Sequence, residues 1–364
     1  MIDPIAKLHS PTGSLISLYV NRRPPATRAA VVDLLRPLHG SRADNGMIKS
    51  LRVDADRIME LVPRIEAATA PAVAVFASHR DGIFEFLPLT HSVEETATVG
   101  PRPFLRPLRA QPRPMRAGVI VADSSRARTY LIAGGGFHEI GEEMTVDRGK
   151  DNYGGFAGYE EQRNRARADD ASTHLWRQAG RRLLEAHQDQ PLELVVIAGH
   201  EEDFDPIAAE LHTYLRRLPQ SRITVDIRTL SGSDLPNLVS DQIEAERTRR
   251  SMELLTHLLA ETDRGGDAVA GLARVLEACN AHGIERMVVA GPFAKPGVTC
   301  DGCGWLGRSE ANCPICGSST FAVDDVVAAA MDATVEAGGK VDIVTVASRL
   351  DADGVGALLR FKLV

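Results

Sequence analysis

Four cysteines near the end of the chain place the tightest constraint on its fold. The segment CDGCGWLGRSEANCPIC pairs Cys300 with Cys303 and Cys313 with Cys316, each pair separated by two residues. Two such pairs form backbone knuckles that turn four thiolates toward one ion, and because four protein ligands leave no open position, the pattern predicts a structural zinc site. Free thiols and a rubredoxin-like iron site are the alternatives. The fifth cysteine, Cys279, stands on an apolar helix face, which predicts a small buried side chain.

Strand-type and helix-type runs alternate along the chain. Runs rich in β-branched residues, such as GSLISLYV and LELVVIAGH, alternate with runs of helical spacing, such as RAAVVDLLRPL and AVAGLARVLEACN. This alternation predicts an α/β fold in which each domain is a mixed sheet with helices. Residues 101–116 hold five prolines and five arginines and predict an extended linker. A long amphipathic run marks the second boundary, so the predicted domains are 1–110, 117–250 and 251–364, with the cysteine knuckle inserted in the third.

Charge, hydropathy and missing motifs exclude several classes of protein. The net charge is −7 and the pI is about 5.9, so any contact with nucleic acid must come from a local patch. No apolar run reaches the ~18 residues of a membrane span, and the first residues lack a signal-peptide pattern. We therefore expect a cytoplasmic protein without a membrane partner. The sequence also lacks a GxxxxGK[ST] loop, a GxSxG elbow and an HExxH motif, which argues against a stand-alone enzyme.

A glycine-containing charged segment precedes a predicted long helix. The segment RGKDNYGGFAGYEEQRNRAR, residues 148–167, places Gly154 and Gly155 among many charges. A solvated surface loop and helix face is one interpretation. In the other interpretation, basic side chains along the helix contact phosphates. The glycines of the preceding segment then let backbone amides approach a ligand closely. A helix over residues 160–187 would align the basic stripe at helical spacing, with members Arg163, Arg167, His174, Arg177 and Arg181.

The order of these parts resembles the archaeal and eukaryotic class-1 release factor family, together with its bacterial relatives. GSLISLYV is similar to the first strand of that family's codon-reading domain, and NGMIKS, residues 45–50, is similar to its NIKS tetrapeptide. The run GVIVADSSRARTYLIAGGGFHEI, the glycine loop and the basic helix resemble the middle domain. AVAGLARVLEACN with its cysteine insert resembles the third domain, in which archaeal members also carry paired cysteines. The resemblance spans nearly the whole chain and implies a three-domain release-factor-like architecture.

Two positions depart from the family pattern. The catalytic tripeptide of the family is GGQ, whereas Gly154 and Gly155 are followed here by Phe156. In the family, the glutamine helps to place the attacking water, and its backbone amide stabilises the developing oxyanion. Phe156 keeps an amide but lacks the carboxamide, and Gln162, seven residues past the second glycine, is a candidate substitute. In NGMIKS an inserted Gly-Met separates the asparagine from Ile-Lys-Ser, so stop-codon reading is not implied.

The resemblance implies a ribosome-binding protein that occupies the A site of idle or stalled ribosomes without releasing the peptide. Such a ribosome hibernation or stress-response factor would be a monomer off the ribosome, and its third domain would bind elongation factor Tu or another translational GTPase. The alternatives are a ribosome-rescue enzyme that hydrolyses peptidyl-tRNA and a stress-linked interaction protein that never binds ribosomes. The resemblance implies no catalytic residue, and it implies contacts to ribosomal RNA by Lys49, Tyr153, Gly154, Gly155, Phe156, Arg163, Arg167 and Arg177.

Overall fold

The chain forms two compact units. One unit unites Met1–Pro112 with Ser251–Val364, and the other comprises Arg113–Arg250. Both contain helices and sheets, which confirms the predicted α/β fold class, while the division into three domains stays a prediction. None of the helices in the described ranges is long and apolar enough to cross a membrane. The structure is a computed structural model that describes residues 2–40, 45–111, 114–146, 159–231, 234–291, 293–300 and 302–362.

The N-terminal part of the first unit is a four-stranded antiparallel sheet with helices. Its strands are β1 (Leu15–Asn21), β2 (Ala72–Ser78), β3 (Ile83–Leu89) and β4 (Thr96–Gly100), in the spatial order β3-β2-β1-β4. Strand β2 is buried along its whole length, because apolar side chains cover both faces of the sheet. The segment NGMIKS forms the first turns of the third helix. The helices are α1 (Ile2–Ala6), α2 (Thr27–Leu35), α3 (Asn45–Glu60), α4 (Val62–Ala67) and α5 (Arg106–Arg109).

Residues 101–111 of the proline- and arginine-rich segment are part of the first unit and pack against its sheet. Leu105 and Leu108 are buried in a core cluster that Phe104 also contacts, and α5 lies among them. Pro107 occupies the first turn of this short helix, where a proline removes no helical hydrogen bond. The predicted extended linker is therefore wrong for α5. Apolar side chains at 104, 105 and 108 hold this stretch against the sheet, although its proline content favoured an extended chain.

The second unit is a mixed sheet covered by helices on both faces. Its strands are β5 (Ala117–Ala122), β6 (Arg126–Ala133), β7 (Gly136–Glu139), β8 (Met144–Thr145), β9 (Leu194–Gly199) and β10 (Gln220–Thr224). The order is β10-β9-β5-β6-β7, with β8 beside β6; β5, β9 and β10 are parallel, and the other pairs are antiparallel. The helices are α6 (Tyr159–Asp189), α7 (Phe204–Glu210), α8 (Thr213–Arg216) and α9 (Asp234–Asp263), the last of which continues into the first unit.

The C-terminal part of the first unit is a second mixed sheet that carries a small inserted sheet. The main strands are β11 (Ala268–Ala270), β12 (Ile284–Ala290), β16 (Lys340–Val344) and β17 (Val355–Leu359), in the order β11-β17-β12-β16. The helices are α10 (Leu272–Asn280), α11 (Val326–Glu336) and α12 (Leu350–Asp353). Between β12 and α11 the chain forms the inserted strands β13 (Gly297–Cys300), β14 (Leu306–Gly307) and β15 (Thr320–Val323), in the order β14-β13-β15.

Candidate functional site

The four predicted cysteine ligands lie in two knuckles with the same backbone geometry. In each knuckle the amide of the first cysteine donates to the carbonyl five residues later, at 2.8 or 2.9 Å. The glycine after the second cysteine donates its amide back to the carbonyl of the first, again at 2.8 or 2.9 Å. The two halves of the insert therefore form the same turn twice. The residues bonded in this way are Cys300, Gly304 and Trp305 in the first knuckle, and Cys313, Gly317 and Ser318 in the second.

Each knuckle needs its glycine for a conformational reason. Gly304 and Gly317 both have φ of +74°, in the left-handed region that an L side chain adopts only with strain. No atom lies within 4 Å of an added Cβ at either position, so the requirement comes from the backbone and not from crowding. The sequence places a glycine directly after the second cysteine of both pairs, so the amino-acid order alone marks where the two turns occur.

The four sulfur atoms form one compact cluster. All four Sγ atoms lie within 4.8 Å of one another, with Cys300 and Cys316 at 3.4 Å and Cys303 and Cys313 at 3.5 Å. A tetrahedral zinc ion with zinc–sulfur bonds of about 2.3 Å separates its sulfurs by about 3.8 Å. The cluster has this size and a soft, all-thiol donor set, so the four cysteines could bind a metal ion. Four thiolates would fill a tetrahedral coordination shell completely.

Hydrogen-bond donors around the second knuckle favour thiolate, the form that binds metal. The hydroxyl of Ser318, followed by its amide, lowers the pKa of Cys316 to about 6. The amide of Ile315 donates to Sγ of Cys313 at 3.4 Å. These three donors stabilise negative charge on sulfur. The turn therefore supplies part of the environment that a metal thiolate requires.

Asn280 fastens the insert to the body of the first unit. Its side-chain amide donates to the carbonyl of Leu306 at 2.8 Å, and its side-chain oxygen accepts from the amide of Leu306 at 2.9 Å. Leu306 itself is buried in the core formed by α10, α11 and the main sheet. Gly297 lies so close to this core that an added Cβ would be 2.6 Å from Val326. The sequence pattern did not reveal Asn280, because its partner is distant in the chain and no local spacing marks it.

Arg106 binds both ends of the insert. Its guanidinium donates to the carbonyls of Gly291 at 3.0 Å and Phe293 at 2.5 Å, before the insert, and to Asp325 at 2.7 Å, after it. The side chains of Arg106 and Asp325 are only 10% and 11% exposed. Asp325 also caps α11, because its carboxylate accepts from the amides of Val327 and Ala328. A residue of the predicted linker thus joins the chain segments before and after the inserted sheet by hydrogen bonds. No local sequence pattern indicated this role.

A second, partly buried pair also joins α5 to α11, in which the side chains of Arg109 and Asp332 are 11% and 30% exposed. Arg109 contacts Asp332 at 2.7 Å, and burial raises the pKa of that carboxyl to about 6, against the attraction of Arg109. Arg102 and Glu336 form a third pair at 3.2 Å, but both side chains are more than half exposed. Three arginines in or just before α5 therefore pair with three acids in α11 or at its N-cap. The pair of Arg106 is the most buried of the three, and the pair of Arg102 is the most exposed.

The long helix α6 confirms the helix predicted over residues 160–187. Trp176 donates from its indole nitrogen to the carbonyl of Asp123 at 3.1 Å, and Ser172 donates its hydroxyl to the carbonyl of Ser124 at 2.6 Å. Leu175 and Leu183 are buried against the sheet on the same face. The helix is therefore anchored to the β5–β6 turn and to the sheet from about its second third onward.

Some of the predicted RNA-contacting residues lie in the described part of the chain and others lie outside it. Tyr153, Gly154, Gly155 and Phe156 lie outside the described residues, as does the side chain of Arg163, whose backbone is in α6. Arg167 on α6 and Lys49 on α3 are both exposed. Arg177 is 48% exposed and forms an ion pair with Glu210 at 2.8 Å. Asp169 and Asp170 are exposed next to Arg167 and dilute its positive field.

The middle of the chain matches a known family. Residues 103–248 match the family model described as bacterial archaeo-eukaryotic release factor family 10. The release-factor resemblance is confirmed for these residues. No curated protein matches the chain. Among solved structures, an archaeal translation termination factor, aRF1, is similar at 15% identity and a TM-score of 0.28, with 99% of this chain and 96% of that chain covered.

Two other solved structures are similar over most of the chain. Pelota of Archaeoglobus fulgidus is 17% identical, with 80% of this chain and 79% of that chain covered and a TM-score of 0.37. Dom34 of S. cerevisiae, described as a translation termination-like factor that interacts with Hbs1, is 11% identical, with 80% of each chain covered and a TM-score of 0.43. The family 10 segment contains α5, the strands β5 to β10, the residues Gly154 and Gly155, α6 and the first half of α9. The four cysteines and Lys49 lie outside it.

Proposed function

We propose that the protein is a release-factor-like translation factor that occupies the A site of idle or stalled ribosomes and releases no peptide. One observation carries the proposal: residues 103–248 match a release factor family, and the two glycines within that segment are followed by Phe156 and not by glutamine. In this role the protein would act in the cytoplasm as a ribosome hibernation or translation-stress factor. It would be a monomer when it is not bound to the ribosome.

The way in which α6 is anchored to the sheet supports a contact with ribosomal RNA. The hydrogen bonds of Ser172 and Trp176 hold the helix to the sheet, and Arg163 and Arg167 lie N-terminal to both anchors. Because the helix is held at these two anchors, the exposed Arg167 would lie close to them, where a phosphate contact would also orient the protein on RNA. Arg177 lies among the anchors, and its guanidinium would contact phosphate by exchanging the partly exposed carboxylate of Glu210 for it. Lys49 would contact RNA from α3.

Phe156 accounts for the absence of peptide release in the proposal. Hydrolysis at the peptidyl-transferase centre requires a placed water molecule and donors for the developing oxyanion. The backbone amide of Phe156 could still donate, but a phenyl ring offers no group that binds water. An apolar ring at this position, three residues after Tyr153 in the sequence, would exclude water and stack on bases. Residues Tyr153 to Phe156 would then block the catalytic centre without acting on its substrate.

We assign zinc to the four-cysteine cluster, in a structural role. A closed set of four thiolates at this spacing is the donor set of structural zinc sites, and it leaves no position for substrate or water. The ion would hold the two knuckles together and so give the inserted sheet a fixed shape. That surface belongs to the part of the chain that we propose contacts elongation factor Tu or another translational GTPase.

Ribosome binding in a salt series tests the proposal directly. Each phosphate contact that is lost should lower the slope of log affinity against log salt by about 0.7–0.9. The double variant R163E/R167E should therefore bind more weakly and flatten the slope by about 1.5. The control is Arg228→Glu, which makes the charge change of one of these two substitutions at an exposed arginine of the same unit. Equal slopes for the double variant and the wild type would refute the contact of α6 with RNA.

A release assay separates the proposal from the rescue enzyme. The two glycines and Gln162 favour that alternative, because a displaced carboxamide could place the water. We expect no peptide to be released from stalled ribosomes at stoichiometric protein. Release that collapses in the variant Gly155→Val would support the enzyme. Absence of the protein from ribosomal fractions of both growing and starved cells would refute both ribosomal functions and favour the non-ribosomal interaction protein.

A further inference from the structure

The four thiols of the knuckles differ in exposure, and each exposed thiol contacts a buried one. Cys303 and Cys316 are exposed, whereas Cys300 and Cys313 are each only 2% exposed. Sγ of Cys316 lies 3.4 Å from Sγ of Cys300, and Sγ of Cys303 lies 3.5 Å from Sγ of Cys313. Both contacts cross from one knuckle to the other. The cluster therefore contains two pairs, each with one sulfur open to solvent and one behind it.

We propose that the knuckles form a peroxide-responsive site in which oxidation replaces the metal ion with two cross-knuckle disulfides, Cys300–Cys316 and Cys303–Cys313. Cys303 and Cys316 react with hydrogen peroxide, and their buried partners complete the disulfides. The proposal rests on the metal assignment made above and does not depend on ribosome binding. It assigns a regulatory chemistry to a cluster whose role as a metal ligand set is otherwise only structural.

The chemistry of each pair is balanced with one peroxide. The thiolate sulfur of Cys316 attacks one oxygen of hydrogen peroxide, the O–O bond breaks, and hydroxide leaves and is protonated to water. The resulting sulfenic acid is attacked by the thiolate of Cys300; the S–S bond forms, and a second hydroxide leaves as water. Cys303 and Cys313 react in the same way. Two peroxides take up four electrons from four sulfurs and four protons from solvent, giving four waters, two disulfides and a released ion.

The sulfur atoms of each pair have only a short distance to close. A disulfide bond is about 2.05 Å long, so each sulfur pair must close by roughly 1.4 Å. The backbone bonds within each knuckle, from Gly304 and Gly317 to the first cysteines, do not involve the sulfurs and can persist. The two disulfides would join the same two turns that the ion joins. The inserted sheet would therefore keep its connection without metal, and a thiol reductant would restore the metal-binding form.

A single tryptic cleavage distinguishes cross-knuckle disulfides from disulfides within each knuckle. Arg308 lies between Cys303 and Cys313, so trypsin separates the two knuckles into different peptides. The full chain, purified with its metal, would be treated with hydrogen peroxide, blocked with N-ethylmaleimide, digested and analysed by mass spectrometry. Fragmentation of the linked peptides then assigns the individual cysteine pairs. The experiment uses the variant Cys279→Ser, which removes a fifth thiol that is buried and bonded to the carbonyl of Ala330, away from the knuckles.

The expected result has three parts. Two equivalents of peroxide should link the two peptides through Cys300–Cys316 and Cys303–Cys313. A metallochromic dye should detect one ion released per chain, and dithiothreitol with added zinc should reverse both changes. The ion content of the untreated protein separates two kinds of failure: a chain purified without metal refutes the metal assignment, whatever its ribosome binding. Retained ion under peroxide, peptides that separate after cleavage at Arg308, or sulfinic and sulfonic acids in place of disulfides would overturn the redox proposal.

Discussion

Replacing Arg106 by alanine should destabilise the first unit by about 3 kcal/mol, because it removes one partner of a buried ion pair. The guanidinium of Arg106 donates to Asp325 at 2.7 Å and to the carbonyls of Gly291 and Phe293 at 3.0 and 2.5 Å. Arg106 and Asp325 are 10% and 11% exposed, so water compensates little for the lost bonds. The same change removes the hydrogen bonds that Arg106 makes to the chain on both sides of the inserted sheet.

The magnitude follows from what remains after the change. An uncompensated buried charge costs roughly 3–5 kcal/mol. Asp325 keeps its bonds from the amides of Val327 and Ala328 and its position at the start of α11. These cap and dipole terms already stabilise the carboxylate and offset about 1–2 kcal/mol of that cost. The two carbonyls lose donors worth about 1 kcal/mol each, although water can reach part of the space left by the side chain.

The chain offers a matched control in Arg102→Ala. Arg102 belongs to the same segment and pairs with Glu336, but the two side chains are 69% and 64% exposed. An exposed pair of this kind contributes at most about 1 kcal/mol. Urea titration followed by circular dichroism would compare the variants. Native-state hydrogen exchange of the α11 amides would add a local measurement, since a chain of two units need not unfold in one step.

Two outcomes would refute this reasoning. An Arg106→Ala variant within about 1 kcal/mol of Arg102→Ala, by both measurements, would show that the buried pair contributes no more than an exposed one. A double variant with Asp325→Asn that loses the sum of both single effects would show that the two side chains are not coupled. We also expect Arg106→Ala to retain its metal less well against a chelator, because the segments before and after the inserted sheet lose the hydrogen bonds that join them through Arg106.

Two other changes test the candidate metal centre and its neighbourhood. Gly317→Ala should cost about 1–2 kcal/mol, because the φ of +74° strains a side chain, and it should weaken metal retention in a chelator competition. Gly13→Ala, with a φ of +69° far from the knuckles in sequence, should cost a similar amount and leave metal retention unchanged; equal metal loss in both variants would contradict the role of Gly317. Burial raises the pKa of Asp332 to about 6, above the unfolded value of about 3.9. The folded chain then binds more protons than the unfolded chain, so the free energy of unfolding should fall as the pH rises from about 4 to 6, and Asp332→Asn should flatten this dependence in urea titrations at several pH values.

Local spacing predicted a large part of the fold. The period of apolar residues predicted α6 and the buried strands β1, β2 and β9, because one or two faces of each element must be apolar to be buried. The spacing of the cysteines predicted the metal-binding cluster, because a turn of four residues brings both of its thiols to one side. The proline-rich segment misled the same reasoning. Its proline content favoured an extended chain, whereas three apolar side chains in and beside α5 pack into a core cluster of the first unit.

The residues that hold the candidate metal centre in place were beyond any local pattern. Arg106 and Asp325 are separated by 219 positions, and Asn280 and Leu306 by 26. Nothing near Arg106 in the chain distinguishes it from Arg102, whose pair is exposed. The pairing of Arg177 with Glu210 belongs to the same class, because the spacing of the arginines on α6 reveals nothing about the acid on α7.

The sequence by itself determined α6 and the buried strands β1, β2 and β9, the glycine turn of each knuckle, and which four sulfurs lie together. These features depend on residues a few positions apart, whose geometry the backbone already limits. The tertiary structure alone decided which arginine is buried, which thiols face solvent, and which sulfur of one knuckle contacts which sulfur of the other. Those properties depend on how distant segments pack, and packing is set by the path of the whole chain.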